Sequence, residues 1–296
     1  MSPVKQKQKK HKKHKDRRKR SRLNAKNADR HVLYERSVQC PEADVEFVDM
    51  VFEATYGTKP RRLREDFCGT AALCCEWVKT RDGNVATGVD LDTSVLEWGR
   101  KNNLGRLKDG AVDRVDLVNA NVLDLSANGT NGNSGRVAGE APEVVVSLNF
   151  SYFCFKERDT LKRYFASVRE TMHEKGLYVL DIMGGPDSQI PQEEETEHES
   201  FSYVWDQDYF NPITHDCRCY IHFRFPDGSK MKKAFSYEWR LWSVAEVRDA
   251  LLESGFSAVD VYWEGSDEDG EGDGVFEKSV EGDDSPAWVA YIVATP

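Results

Sequence analysis

Between residues 61 and 183, short strand-like runs and amphipathic helical segments take turns, and no other feature of the chain constrains its fold as strongly. "RRLREDF" runs through a tight turn into the helical "AALCCEWVKT". "NVATGVDL" leads into "DTSVLEWGRKN", a helix opening on Asp92. "VDRVDLVNANVLDL" supplies a third strand, and the continuous apolar run "EVVVSLNF" a fourth. Ahead of them, Val45, Val48, Val51 and Phe52 recur at helical spacing, with Gly57 as the stop. Behind them, Leu161, Tyr164, Phe165, Val168 and Met172 line one helix face, Gly176 is the expected stop, and "LYVLDIM" is a fifth, buried strand. Parallel strands need crossover helices between them, so the pattern predicts an α/β fold with a doubly wound, mostly parallel sheet.

Residues 184–242 break the alternation. "CRCYIHFRF" and "KMKKAFSYEW", joined by "PDGS", predict an antiparallel hairpin lid inserted after the fifth strand, with Asp227 and Gly228 in its turn. The acidic "PQEEETEHES" before it is expected to be a loop. Ser243 and Glu246 then form a capping box on a helix ending at Gly255. "AVDVYWEG" and "AWVAYIVAT" are the last strands, separated by the acidic, glycine-rich "SDEDGEGDG".

The formal net charge of −10 conceals two opposite parts. Residues 1–22 hold 12 Lys and Arg against Asp16 alone, a balance of +11, which leaves −21 on residues 23–296. The first part is too polar to bury a core and is expected to be a disordered basic tail. It suits an import receptor, RNA phosphates, or simple solubilisation. With 39% apolar residues in the chain, residues 23–296 are expected to form one domain carrying the 184–242 insertion. No apolar run approaches the roughly 18 residues needed to span a bilayer, and the N-terminus is too basic for a secretory signal. The expectation is a cytoplasmic or nuclear protein with no membrane partner. The seven cysteines are odd in number and lack paired C-x-x-C spacing, which predicts reduced core thiols and no metal. The acidic loops lack the full ligand pattern of a calcium loop.

In such a sheet, ligands gather at the carboxyl ends of the strands, where the first strand-to-helix turn aims backbone N–H groups outward. Glu65 and Asp66 end the first strand, Cys68, Gly69 and Thr70 make the turn, and Asp90 ends the second strand 21 residues after Gly69. An acid at that separation is placed to accept hydrogen bonds from a ribose. "EDFCGTA" and "GVDLD" together resemble the first two motifs of the class I S-adenosylmethionine-dependent methyltransferases. The family's turn commonly reads acid-x-G-C-G-T-G, so Glu65 stands for the acid, and Phe67 and Ala71 replace the outer glycines. The resemblance covers roughly residues 30–183 and the final helix and strands. It implies S-adenosyl-L-methionine as the cofactor, bound by Glu65, Cys68, Gly69, Thr70, Asp90 and Leu91, with Asn121 and Val122 at the adenine. Phe67 either packs beside the cofactor or fills its site. A pyrophosphate demands closer backbone approach than S-adenosylmethionine does, so losing two glycines counts against a nicotinamide dinucleotide. Arg64, Glu65 and Asp66 are costly in a central strand unless paired or facing a ligand, and are read as a sign of a site.

By topology Asn149 and Tyr152, just after the fourth strand, are the candidate catalytic residues, able to orient an acceptor or its proton. Alternatively Asn149 only ends its strand and Tyr152 is core. Tyr34, His222, Arg240 and Trp242 are candidate acceptor contacts, although aromatics in a hairpin commonly form its buried face. The expected function is methyl transfer to a nitrogen or oxygen acceptor, with a small molecule favoured by the acidic body and the lid. Two rivals stand beside it: an RNA or protein methyltransferase recruited through the tail, and a noncatalytic RNA- or ribosome-associated module.

Overall fold

The computed structural model describes residues 23–108, 110–125, 140–266 and 272–296. The expected basic tail, most of the glycine- and asparagine-rich loop over 127–141, and part of "SDEDGEGDG" lie outside the described residues. Helices α1 (Arg30–Val38) and α2 (Pro41–Tyr56) precede the sheet. Strand β1 (Arg62–Asp66) then leads through the turn into α3 (Ala72–Thr80), β2 (Val85–Asp90) into α4 (Thr93–Asn102), and β3 (Val115–Asn119) toward β4 (Val144–Ser147). Helix α5 (Arg158–Thr171) crosses over to β5 (Leu177–Gly184). Strands β6 (Gln192–His198), β7 (Phe201–Phe210), β8 (Asp216–Arg224) and β9 (Lys230–Arg240) follow, then α6 (Val244–Glu253) and β10 (Ala258–Ser266), β11 (Gly272–Ser279) and β12 (Trp288–Thr295).

The main sheet has the order β11-β10-β12-β5-β4-β1-β2-β3. Its β5-β4-β1-β2-β3 half is parallel, and β12, β10 and β11 extend it antiparallel. The expected doubly wound sheet is therefore present. One face is closed by α2 and α3, through Val48, Phe52, Cys74 and Trp77. The other is closed by α5 and α6, through Leu161, Phe165, Val247 and Leu251. Asp92 caps α4, Ser243 and Glu246 form their capping box, and Gly57 ends α2 in the left-handed region. Helix α5 stops at Thr171, capped by Met172 and well before Gly176. Five cysteines are buried, but Cys40 and Cys154 are exposed, which corrects the expectation that all pack in the core. Among the described residues no helix is long and apolar enough to cross a membrane.

The insertion is larger than a hairpin. Strands β8 and β9 pair across the expected turn, with Gly228 left-handed at φ 84°, but they belong to a four-stranded antiparallel sheet in the order β6-β7-β8-β9. The acidic segment read as a loop is strand β6. Its glutamates stay in solvent while its backbone pairs with β7, and Arg224 on β8 binds both Glu193 and Glu195. Helix α1, which carries no strong sequence signal, docks Leu33 against Phe201, Ile221 and Phe223 of this sheet.

Two of the charges of β1, Arg64 and Asp66, are paired with each other, which removes that pair as evidence for a ligand. Arg64 and Asp66 are each 1% exposed. Arg64 donates from Nε to Asp66 Oδ1 at 2.8 Å, from Nη2 to Asp66 Oδ2 at 3.2 Å, and from Nη1 to Thr171 Oγ1 at 2.7 Å. The Tyr164 hydroxyl donates to Asp66 Oδ2 at 2.9 Å, and the hydroxyls of Ser147 and Tyr178 continue the chain. Removing one partner leaves a buried charge unmet. Arg64→Met is therefore expected to destabilise the fold by about 3–5 kcal/mol in urea unfolding, whereas Arg62→Met at the wetter strand end costs less than about 1 kcal/mol. Equal, small effects would show that the pair is not the anchor of β1.

Candidate active site

The strand-to-helix turn after β1 is held by bonds to β2. Cys68 N–H donates to the Val89 carbonyl at 2.9 Å, and Gly69 N–H donates to Asp90 Oδ2 at 2.8 Å. The other Asp90 oxygen accepts from Asp92 N–H at 2.8 Å. Burial pushes the Asp90 carboxyl above its ordinary range, against the pull of those N–H groups.

The turn keeps a glycine-type backbone without most of its glycines. Phe67, Gly69 and Ala71 have φ of 60°, 52° and 58°, so all three alternate positions are left-handed. A side chain in that region costs roughly 1–2 kcal/mol, a strain that persists only where surrounding contacts hold it. For Phe67 they are aromatic: its ring lies 5.8 Å from Phe155 and 5.6 Å from Tyr164, on the α5 side of the sheet. The close approaches fall to glycines elsewhere. A Cβ on Gly88 of β2 would sit 2.8 Å from Cys68 Sγ, and one on Gly99 of α4 would sit 2.5 Å from the Thr70 carbonyl oxygen.

Around this turn lie the other sequence-predicted cofactor residues. Asn119 donates to the carbonyls of Asp90 and Leu91, fixing the end of β2, while the Leu91 side chain is 70% exposed beside the acid. Asn121 caps a short 3-10 turn by accepting from Leu123 N–H at 3.0 Å, and Val122 is buried beneath it. Thr70 donates to Glu35 Oε1 at 2.6 Å, and Asn103 donates to the same oxygen at 2.7 Å, so α1 is tied across the turn. Glu65 is 6% exposed and accepts from Cys74 N–H at 3.2 Å and Cys74 Sγ at 3.0 Å. Its carboxyl is pushed up to about 8, chiefly by burial.

At the end of β4, Asn149 and Phe150 are consecutive left-handed residues, at φ 57° and 56°. Their N–H groups donate to Asp181 Oδ2 and Oδ1 at 2.7 and 2.8 Å. Burial pushes the Asp181 carboxyl up to about 7. Asp181 was missed in the sequence, although one acid within "LYVLDIM" is a usable signal, because a buried carboxylate needs a task. Tyr152 is corrected to core. The 3-10 turn Ser151–Cys154 folds it inward, fully buried and edge-on to Phe153, with its hydroxyl unpartnered.

A cavity of about 340 Å³ opens beside Asn149 and Phe150, between β5, α1, the lid sheet and β12. Tyr34 lines it, as does Tyr237. The other three acceptor candidates are elsewhere. His222 neighbours the cavity residue Ile221 on β8 and so points to the opposite sheet face, where its Nδ1 accepts from Lys233 N–H and its Nε2 meets Asp206. Arg240 donates to the Lys156 carbonyl and to Glu246, and stacks on Trp242 with 3.7 Å to the ring centroid. Trp242, 1% exposed, donates to the Phe155 carbonyl at 3.1 Å. Both fasten β9 to the body. Glu264 and Trp288 of the cavity wall had no local sequence signal, since long-range pairing of β10, β5 and β12 brings them there.

No protein-family model and no curated protein matches the chain. Solved structures do. An S-adenosylmethionine-dependent methyltransferase from Clostridium acetobutylicum is 14% identical with a TM-score of 0.62, over 90% of this chain and 96% of that one. An amino pentose methyltransferase of calicheamicin biosynthesis from Micromonospora echinaspora, solved with S-adenosylmethionine bound, is 13% identical with a TM-score of 0.60, over 90% and 96%. A sugar N-methyltransferase from Streptoalloteichus is 15% identical with a TM-score of 0.58, over 93% and 94%. The chain thus has the fold of class I S-adenosylmethionine-dependent methyltransferases.

Two predictions follow from the geometry of the turn. Gly99→Ala is expected to lose about 1–3 kcal/mol in urea unfolding, because its methyl meets backbone, whereas Gly105→Ala is close to neutral. Equal stability of the two would show that α4 is free to move off the turn. For Glu65, the folded carboxyl binds its proton more tightly than the unfolded one, so its contribution is present below about pH 4.5 and is lost as pH rises toward 8. Glu65→Gln should therefore gain stability relative to wild type between pH 5 and pH 8, by about 1 kcal/mol or more. Parallel pH profiles would contradict the burial of an ionisable group there.

Proposed function

We propose that this protein is an S-adenosylmethionine-dependent methyltransferase acting on a small-molecule acceptor. The observation that carries the reading is a junction. The turn over 67–71 and Asp90 stand at the carboxyl edge of β1 and β2, and a cavity begins at Asn149 and Phe150, at the end of the neighbouring strand β4.

The residues present fit the cofactor. Each Asp90 oxygen spends one acceptor site on a backbone N–H and has another free for a ribose hydroxyl. The exposed Leu91 offers an apolar cover for a purine. The Asn121 side chain, anchored through its oxygen, stands beyond β3 where the adenine end is expected. Phe67 is engaged with Phe155 and Tyr164, which favours a site left open over one filled by the ring. When bound, S-adenosylmethionine supplies the methyl group, whose bond to sulfur breaks as an acceptor lone pair forms the new bond in line.

The chain's own contribution is alignment and the exclusion of water. Asp181 fixes the Asn149–Phe150 backbone where the cavity begins, and the lid sheet closes the cavity from above. A volume near 340 Å³ accommodates a small molecule, and two of the similar structures are described as sugar or amino pentose methyltransferases.

Calorimetric titration of the full chain with S-adenosylhomocysteine tests the proposal. Wild type is expected to bind, Asp90→Ala to lose about 1.5–3 kcal/mol of affinity while keeping its melting transition, and NAD not to bind. A folded wild type that takes up no S-adenosylhomocysteine would overturn the reading and favour a noncatalytic module.

A further inference from the structure

We propose that the acceptor cavity selects a cation, so that the acceptor is an amine that enters protonated, in preference to an alcohol or an anion. The inference rests on the methyl-transfer reading for its chemistry but on the cavity wall for its charge.

The wall is aromatic and acidic. Tyr34, Tyr203, Trp205, Tyr237, Trp239 and Trp288 supply rings. On the lid, the Tyr237 and Trp239 centroids are 4.3 Å apart, and Trp205 lies 6.0 and 6.1 Å from them. The three planes differ by only 31–39°, so the ring faces, where π density lies, share a direction. A cation over such faces is attracted by about 0.5–2 kcal/mol per good contact.

Every ionisable group of opposite sign is missing from the wall. The lining contains Asp187, Glu194 and Glu264 and, among the described residues, no Lys, Arg or His. None of these carboxylates has an ion pair within the described residues. Among the described residues Glu264 accepts from Gly274 N–H at 3.1 Å, and Glu194 from the Gln192 amide at 3.3 Å. Elsewhere on this sheet, Glu193 and Glu195 share Arg224, and Asp208 has Arg218. On this sheet those three acids away from the cavity have an arginine partner, whereas the three acids that line the cavity have none within the described residues. A phosphate or carboxylate entering it would meet three like charges and no donor cation, whereas an ammonium would meet both the rings and the acids.

Charge also balances through the transfer. The ammonium gives one proton to water, its lone pair forms the bond to the methyl carbon, and the former carbon–sulfur pair stays on sulfur. The positive charge passes from sulfonium to the methylated ammonium, which the same wall accommodates.

The test uses three probes that share a benzyl or phenyl ring and differ in charge: benzyltrimethylammonium, benzyl alcohol and benzoate. Each is titrated into the full chain by calorimetry, with and without S-adenosylhomocysteine. The cation is expected to bind at least about tenfold more tightly than the alcohol, with benzoate weakest. Asp187→Asn combined with Glu264→Gln is expected to remove most of that preference while leaving the alcohol unchanged. The single change Glu194→Gln, at an exposed position, should reduce it in part and serves if the double variant fails to fold. An alcohol or benzoate that binds as well as the cation, or a preference untouched by both variants, would overturn the inference. Cation preference without S-adenosylhomocysteine binding would retain the cation site and sink the methyltransferase reading. The reverse pattern would retain the enzyme and sink the cation.

Discussion

The buried pair of Arg64 and Asp66 sets much of the remaining architecture. A central strand covered on both faces cannot hold two charges unless each finds partners, and β1 finds them on one helix. Thr171 and Tyr164 of α5 must therefore sit over β1, which in turn fixes the crossover from β4 to β5. The same placement explains Phe67. With Tyr164 drawn to Asp66, its ring and that of Phe155 form an aromatic surface directly beside the turn, and Phe67 packs on it. The ring contacts of Phe67 are thus supplied by the network that stabilises the strand.

The fold was legible where side-chain periodicity is local. The parallel core, the capped helices and the turn at Asp227 and Gly228 all follow from residues near one another in sequence. What escaped was decided by distant partners. Strand β6 reads as a charged loop because its glutamates face water, and only pairing with β7 makes it a strand. Helix α1 is short and weakly amphipathic, and its position comes from Leu33 against the lid and Glu35 against the turn. In the site, Asp90 and Gly69 were visible because a turn and an acid at fixed separation are a chemical pattern. Tyr152, His222, Arg240 and Trp242 were chosen by residue type and proximity to the lid. Residue type does not say which face of a strand or turn a side chain takes.

Helix α1 joins the two halves of the site. On one side Glu35 takes hydrogen bonds from Thr70 and Asn103, and on the other Tyr34 forms part of the cavity wall with Tyr237. Tyr34 and Glu35 are consecutive in the chain and leave the helix in directions about 100° apart. Order in the cofactor turn and the shape of the acceptor cavity are accordingly not independent, since a shift of α1 changes both.

The acidity of β6 has a consequence of its own. In the order β6-β7-β8-β9 this strand is terminal, so one row of its backbone N–H and C=O groups has no partner within the sheet. Such a row is a template on which a strand from another molecule can add. Glu193, Glu194, Glu195 and Glu197 leave the two faces of this strand beside that row, and a second copy would bring the same acids against them. The segment that reads as a loop is thus a sheet edge whose own charge disfavours the addition of a second copy to it.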